Sequence, residues 1–211
     1  MLHLIGPSSY DVFADELADM YRLRYRVFRE RLAWDVDVSG DREIDAFDAL
    51  HPTYLVQLNH SGRVCGCVRF LPTTGPTMLR EVFPSLLHGA EMPECPFVWE
   101  CSRFAVDVNQ PSPLGAGGIS TASYELMAGM VEFGLSEGMK EIVTVTDVRL
   151  ERISRLASWP LRRIGPPLAI GNTKAIAGYL DVSRPALARL LEGGGLKGPV
   201  LWAPVAPAKA A

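Results

Sequence analysis

Long apolar runs are missing from this sequence. No stretch approaches the roughly 20 uninterrupted apolar residues that cross a bilayer, so no membrane association is expected. Excess positive charge is missing as well. Lys and Arg number 21 against 24 Asp and Glu, for a net charge of -3, which leaves no general attraction to nucleic acid or anionic lipid. Any acidic partner must be met by a local basic patch. Cysteine is sparse: Cys65, Cys67, Cys95 and Cys101 lack the paired C-x2-C spacing of a zinc site. They read as small core hydrophobes in a reducing compartment, and no metal is expected. The opening residues 1–5 have neither the basic region nor the apolar length of a secretory signal, so a cytoplasmic location is expected. No repeat and no internal boundary interrupts the chain. Its 211 residues, 48% hydrophobic and 21% charged, suit a single domain.

What is present alternates between strand and helix signals. Residues 1–5 read as a strand, and 10–31 as a helix with apolar spacing at Phe13, Leu17, Met20, Leu23 and Val27. Residues 33–51 hold acids beside Trp34, Ile44 and Phe47 with no clear period, as in a loop folded onto the body as a lid. Strands are expected at 53–58 and 63–71, joined by a turn at 59–62, and a short helix at 78–87. A strand is expected at 97–106, a helix at 120–137, a strand at 141–146, a helix at 148–157, a strand at 175–180 and a Ser183-capped helix to about 191. The domain spans 1–192, and the Gly-, Pro- and Ala-rich stretch 193–211 is expected to be a poorly ordered tail. The fold class is α/β (α+β), a mixed sheet flanked by helices.

Within the 97–106 strand, Trp99-Glu100-Cys101-Ser102-Arg103-Phe104 places an acid and a base at core positions. Buried charges cost several kcal/mol, as an order of magnitude, unless paired or used. The partners on offer are Arg24, Asp45, Asp48 and Arg69. Three carboxylates and three guanidiniums balance, either as a structural network or as a site for a zwitterion: arginines for a carboxylate, carboxylates for an ammonium, one of them a general base. An odd separation puts Glu100 and Arg103 on opposite faces of a regular strand. If both serve one site, the strand must bulge or end near Cys101-Ser102.

The dispersed motifs resemble those of the LuxI-type acyl-homoserine lactone synthases. They are Arg24-Tyr25-Arg26-Val27-Phe28, Trp34-Asp35-Val36, Glu43-Ile44-Asp45-Ala46-Phe47-Asp48, Arg69, Leu71 to Pro76, Phe83 and Trp99 to Phe104, with Val143 to Thr146 and Arg163 to Pro166 further on. The resemblance covers about residues 1–182. It implies a single-domain GNAT-like acyltransferase fold and a monomer that N-acylates S-adenosylmethionine from an acyl-acyl-carrier-protein, then closes the lactone and releases methylthioadenosine. S-adenosylmethionine is then a substrate, and no cofactor is implied. The resemblance implies Glu100, Arg103, Asp45, Asp48 and Arg69 as catalytic-site residues, with Glu100 as the base. It implies Arg24, Phe28, Trp34 and Arg103 as binding S-adenosylmethionine, Trp34 having a cation–π rationale near the sulfonium.

On the same basis Met78, Phe104, Val106, Met127, Thr144, Thr146 and Leu150 are the candidates for an acyl pocket. In the family a Thr at the position of Thr146 accompanies 3-oxo substrates, so a 3-oxo chain of medium to long length is expected. Arg149, Arg152, Arg155, Arg162 and Arg163 form a local basic concentration suited to the acidic carrier protein. Two other classes compete. A general GNAT N-acyltransferase holds acyl-CoA pyrophosphate on a basic-x-x-Gly-x-Gly/Ala loop, but Ser112 stands at the basic position before Gly115-Ala116-Gly117. A non-enzymatic ligand-binding domain would use the charge network as scaffold.

Overall fold

The structure is a computed structural model and describes residues 1–202. In chain order the elements are β1 (Leu2–Ile5), α1 (Ala14–Arg24), β2 (Val38–Ser39), β3 (Arg42–Glu43), β4 (Thr53–Leu58), β5 (Val64–Pro72), α2 (Met78–Glu81) and β6 (Val98–Val106). Then come α3 (Thr121–Ser136), β7 (Glu141–Asp147), α4 (Val148–Leu156), β8 (Arg162–Arg163), β9 (Leu168–Ile170), β10 (Thr173–Asp181), α5 (Arg184–Gly194) and β11 (Leu201–Trp202). The sheet order is β11-β1-β4-β5-β6-β7-β10-β8, with β9 also paired to β10. Pairing is antiparallel except for β6 with β7 and β1 with β11.

The apolar residues of α3 and α5 cover one face of the sheet, packing Met127, Met130, Phe133 and Leu190 against Val68, Phe70 and Ile142. On the other side, Leu17, Met20, Leu23 and Val27 pack over Tyr54, Val56 and Cys67. Ser183 and Ser120 cap α5 and α3 through their hydroxyls, as Ser before an apolar-periodic run predicts. The β4–β5 hairpin turns on Asn59, whose Oδ1 accepts from Ser61 N and Arg63 N, with Gly62 at φ +76°.

Three features depart from the expectations. The helix expected through residue 31 changes after Arg24 into a π-helix, Tyr25–Arg31, in which Leu32 N bonds back to Val27 O. The wider turn inserts a residue and re-aims the chain beyond it. The lid is partly structured: β2 and β3 form a small hairpin, and Ala46–Leu50 is a 3-10 helix whose N-cap is Asp45. The tail expected from residue 193 is instead structured through Trp202. Helix α5 runs to Gly194, and β11 pairs with β1 while Val200 N and Leu201 N donate to Glu132. The rest of that tail, 203–211, lies outside the described residues. Among the described residues no helix is long and apolar enough to cross a membrane.

Candidate functional site

The site forms where β5 and β6 meet the lid and the end of α1. Along β5 and β6 the register advances by two residues on one strand (Cys67 to Arg69) and three on the other (Ala105 to Ser102). The extra residue is a bulge in β6 at Arg103-Phe104, with Arg103 at φ +56°. It lies two residues beyond the expected pair Cys101-Ser102 and re-aims Arg103.

Three guanidiniums and three carboxylates close on one another there. Arg24 Nε donates to Glu43 at 2.5 Å, and its Nη1 and Nη2 donate to the two oxygens of Asp48 at 2.8 and 2.9 Å. Arg69 donates to Asp45 at 2.5 and 3.0 Å, to Asp48 at 2.9 Å and to Ser102 Oγ at 3.1 Å. Arg103 meets Glu43 at 2.9 Å and Asp45 at 2.7 Å. Burial pushes Asp48 up, but the hydrogen bonds and charge of Arg24 and Arg69 outweigh it and hold the carboxyl below the usual range. Burial also works against the Arg24 and Arg69 cations, and their carboxylates raise both. The Tyr54 hydroxyl, a further donor to Asp48 at 2.6 Å, is raised by its burial and then by that carboxylate.

The third acid is Glu43, completely buried, where the balanced set had placed Glu100. The available signal was alternation: Glu43 and Asp45 are two apart in an extended segment and so share a side. Glu100 stands apart from the network. Its carboxylate accepts from Met78 N at 2.8 Å and Leu79 N at 2.7 Å, tying β6 to the first turn of α2. Burial raises its pKa, and the two N–H groups and the nearby arginines only partly offset that.

A cavity of about 770 Å³ opens beside the network, within the range of small-molecule sites. Trp34, Asp45, Phe47, Met78, Phe83, Arg103 and Thr146 line it. Trp34 stacks on Phe28 with centroids 5.3 Å apart, and Arg103 Cζ lies 5.5 Å from the Phe28 centroid on its way to the acids. Phe28 is therefore behind Trp34, and Arg24 is beneath the acids. Neither lines the cavity. Arg103 Nη1 is the one guanidinium nitrogen of the network without an oxygen partner among the described residues. It donates to the Met78 sulfur at 3.4 Å, beside Arg69 Nη2 at 3.2 Å from the same atom.

Pairing between β6 and β7 stops at Cys101 and Thr144, where the Thr144 hydroxyl donates to Cys101 O at 2.9 Å. Past that point a second, narrow cavity of about 30 Å³ lies under α3 and α4. Phe104, Met127, Met130, Thr144, Thr146, Leu150, Trp159 and Leu180 are among its walls. Thr146 borders both cavities. Of the acyl-pocket candidates, Met78 belongs to the larger cavity. Val106 lines neither: it pairs with Gly66 near the end of β6 and packs on the core. Met130, Trp159 and Leu180 were missed, since nothing in an apolar sequence pattern separates a cavity wall from a filled core.

All five arginines of the basic patch are exposed. Arg163 is bound by Glu151 at 2.5 and 2.7 Å, and Arg162 by Glu141 at 2.5 Å, which leaves Arg149, Arg152 and Arg155 as the outward charge of α4. At the start of α3, Ala122 N donates to Ser112 Oγ, Ser123 N to Ser120 Oγ and Thr121 N to Pro113 O. The first glycine of the adjoining loop is packed: a Cβ on Gly115 would fall 2.5 Å from Gly193 O.

A model described as autoinducer synthase matches residues 9–190. An acyl-homoserine-lactone synthase of Agrobacterium fabrum is 43% identical over 190 residues, covering 90% of each chain. The crystal structure of the AHL synthase LasI matches with a TM-score of 0.80 at 37% identity, over 92% of this chain and 95% of that one. The CoA-dependent acyl-homoserine lactone synthase BjaI, solved with SAM and isopentyl-CoA, gives a TM-score of 0.85 at 28% identity, over 96% and 92%. The fold is the GNAT-like one.

Proposed function

This chain belongs to the autoinducer synthase family and is an acyltransferase, an acyl-homoserine-lactone synthase of quorum sensing, and we propose that S-adenosylmethionine occupies its larger cavity and that an acyl chain parts the walls of its narrow one, whose 30 Å³ must widen to hold it. Arg103 carries this reading. Arg103 lines the cavity, its Nη1 has only a thioether to accept from it, and a carboxylate is a far stronger acceptor. The methionine carboxylate binds there. Asp45 faces the α-ammonium, and Trp34 offers its ring to the sulfonium.

The reaction takes two displacements. The α-amine loses a proton, which Glu100 receives through water; its raised pKa suits it to hold that proton. The amine attacks the thioester carbonyl at the mouth between β6 and β7. The C–N bond forms, the C–S bond breaks and the thiol leaves with a proton. A carboxylate oxygen then attacks the γ-carbon that bears the sulfonium. The ring C–O bond forms and the C–S bond breaks with its electrons, releasing methylthioadenosine. Asp48, Glu43 and Arg24 hold Arg69 and Arg103 in place without touching substrate.

The donor is acyl carrier protein. The α3 N–H groups of residues 121–123 are satisfied by Ser112, Pro113 and Ser120, which leaves little to cradle a pyrophosphate, while α4 presents Arg149, Arg152 and Arg155 to an acidic surface. The CoA-dependent BjaI favours acyl-CoA as a second reading. The Thr146 hydroxyl, at the junction of the cavities, suits a 3-oxo group. Offering the purified protein S-adenosylmethionine with matched acyl-carrier-protein and acyl-CoA donors, with and without a 3-oxo group, tests both points by mass spectrometry. A kcat/KM higher for the 3-oxo carrier-protein donor is expected. Equal or higher values with CoA overturn the donor assignment.

A further inference from the structure

Two stretches of the larger cavity's wall come from places far apart in the chain. One is residues 33–37, which form no helix or strand. The other is residues 170–173, around the turn between β9 and β10. One side chain spans them. Asn172 sits in that two-residue turn beside Gly171, which is at φ +56°. Its Nδ2 donates to Leu32 O at 3.1 Å and to Ala33 O at 3.4 Å.

Those two carbonyls lie immediately before Trp34. Ala33 is at φ +52°, a conformation that costs a residue with a Cβ and persists only where its surroundings hold it. Leu32, Trp34 and Val36 pack on the core, and the other polar restraints here are few. Trp34 N donates to Phe28 O at 2.9 Å, the rings stack, and Arg29 reaches Trp34 O only at 3.5 Å. Further on, Ile44 N reaches Asp37 O at 3.3 Å.

We propose that Asn172 is a positioning residue that clamps the main chain of residues 32–33 to the β9–β10 turn, fixes Trp34 in the cavity wall and so closes the cavity on S-adenosylmethionine. It acts through Trp34 and does not touch the reacting atoms. The proposal rests on the reading that this cavity takes S-adenosylmethionine. An asparagine amide suits the place, because two carbonyls need N–H donors from one short neutral side chain. An aspartate there has none to give and turns like charge on both oxygens.

Asn172 is exposed, so substituting it leaves the core intact. Asn172→Ala is expected to raise KM for S-adenosylmethionine about five- to tenfold, the effect of losing one or two neutral hydrogen bonds. KM for the acyl donor and kcat should stay within about twofold. Methylthioadenosine should dissociate faster by a similar factor in stopped flow. Asn172→Asp should weaken binding further, and Asn172→Gln should restore part of it. In a Trp34→Ala background, Asn172→Ala should add nothing, since the residue acts through that ring. An unchanged KM overturns the proposal, as does full additivity with Trp34→Ala. So does a parallel shift in both KM values and the melting temperature. If the wild type forms no lactone from S-adenosylmethionine, the functional reading itself fails; an active wild type with an indifferent Asn172 fails the clamp alone.

Discussion

Arg24 is buried and Arg103 partly so, and both are bound to Glu43, yet their roles differ. Arg24 spends all three nitrogens on Glu43 and Asp48. Arg24→Leu therefore takes one of three cations from the network and leaves Glu43 to Arg103 and Asp48 to Arg69, and urea unfolding should show a loss of about 3 kcal/mol. Arg103→Lys keeps a charge near Glu43 and Asp45 but loses the planar fork. It should unfold near the wild-type midpoint while KM for S-adenosylmethionine rises by about one to two orders of magnitude, the effect of a lost charge-assisted hydrogen bond. The acids divide by pH in opposite senses. Asp48 sits below its ordinary value, so its stabilisation is complete above the ordinary aspartate pKa and is lost only as pH falls through the depressed one. Asp48→Asn should thus cost most at neutral pH and converge with wild type in strong acid. Glu100 sits above its ordinary value, so it is protonated, and useless as a base, over a wider acid range. The acid limb of kcat/KM should lie above the usual carboxylate range and disappear in Glu100→Gln. At this scale the sequence was generous. Arg24, Asp45, Asp48, Arg69 and Arg103 declared themselves as charges in apolar surroundings. Glu43 was hidden because the lid around it showed no period.

The elements explain how those side chains meet. A regular β6 would separate Glu100 from Arg103, and the odd spacing called for a break only if both served one site. Its position was not legible: the residue at φ +56° is Arg103, where a glycine would have marked the bulge. The π-helix after Arg24 was equally silent, because 25–31 keeps a helical composition. What the widened turn achieves is the stack of Phe28 on Trp34. On the far side of the sheet, β7 and β10 set the depth of the narrow cavity. Ile176 pairs with Thr146 and Leu180 with Ile142, so Leu180 lies four residues, or roughly 13 Å, along the strand from the mouth. Trp159 closes that end, its Nε1 donating to Asp181 O at 2.8 Å. Leu180→Ala should lengthen the preferred acyl chain by about two carbons, into the space of the lost side-chain atoms. Mass spectrometry of lactones made from a mixed donor pool reads this as a ratio, whatever fraction of the variant folds.

At the scale of the whole molecule, a net charge of -3 makes the basic side of α4 the natural face for an acidic carrier. Replacing Arg149, Arg152 and Arg155 by Glu should raise KM for acyl carrier protein at least about tenfold. It should leave KM for S-adenosylmethionine unchanged and flatten the salt dependence of the reaction. The long strands and the helix order were readable from alternation, caps and turns, whereas the short strands β2, β3, β8 and β9 were not. The closing of the sheet edge by β11 was not, because residues 193–202 are composed like a linker and are held by Glu132 and β1, both distant in sequence. The central claim is that this fold joins S-adenosylmethionine to an acyl thioester and closes the product to a lactone. The most direct test is a single-turnover reaction of the purified protein with S-adenosylmethionine and an acyl-carrier-protein donor, with lactone, methylthioadenosine and free thiol quantified together. The three should appear in equal amounts, and none in the absence of S-adenosylmethionine. Thiol released without matching methylthioadenosine, or no lactone from any thioester donor, contradicts it.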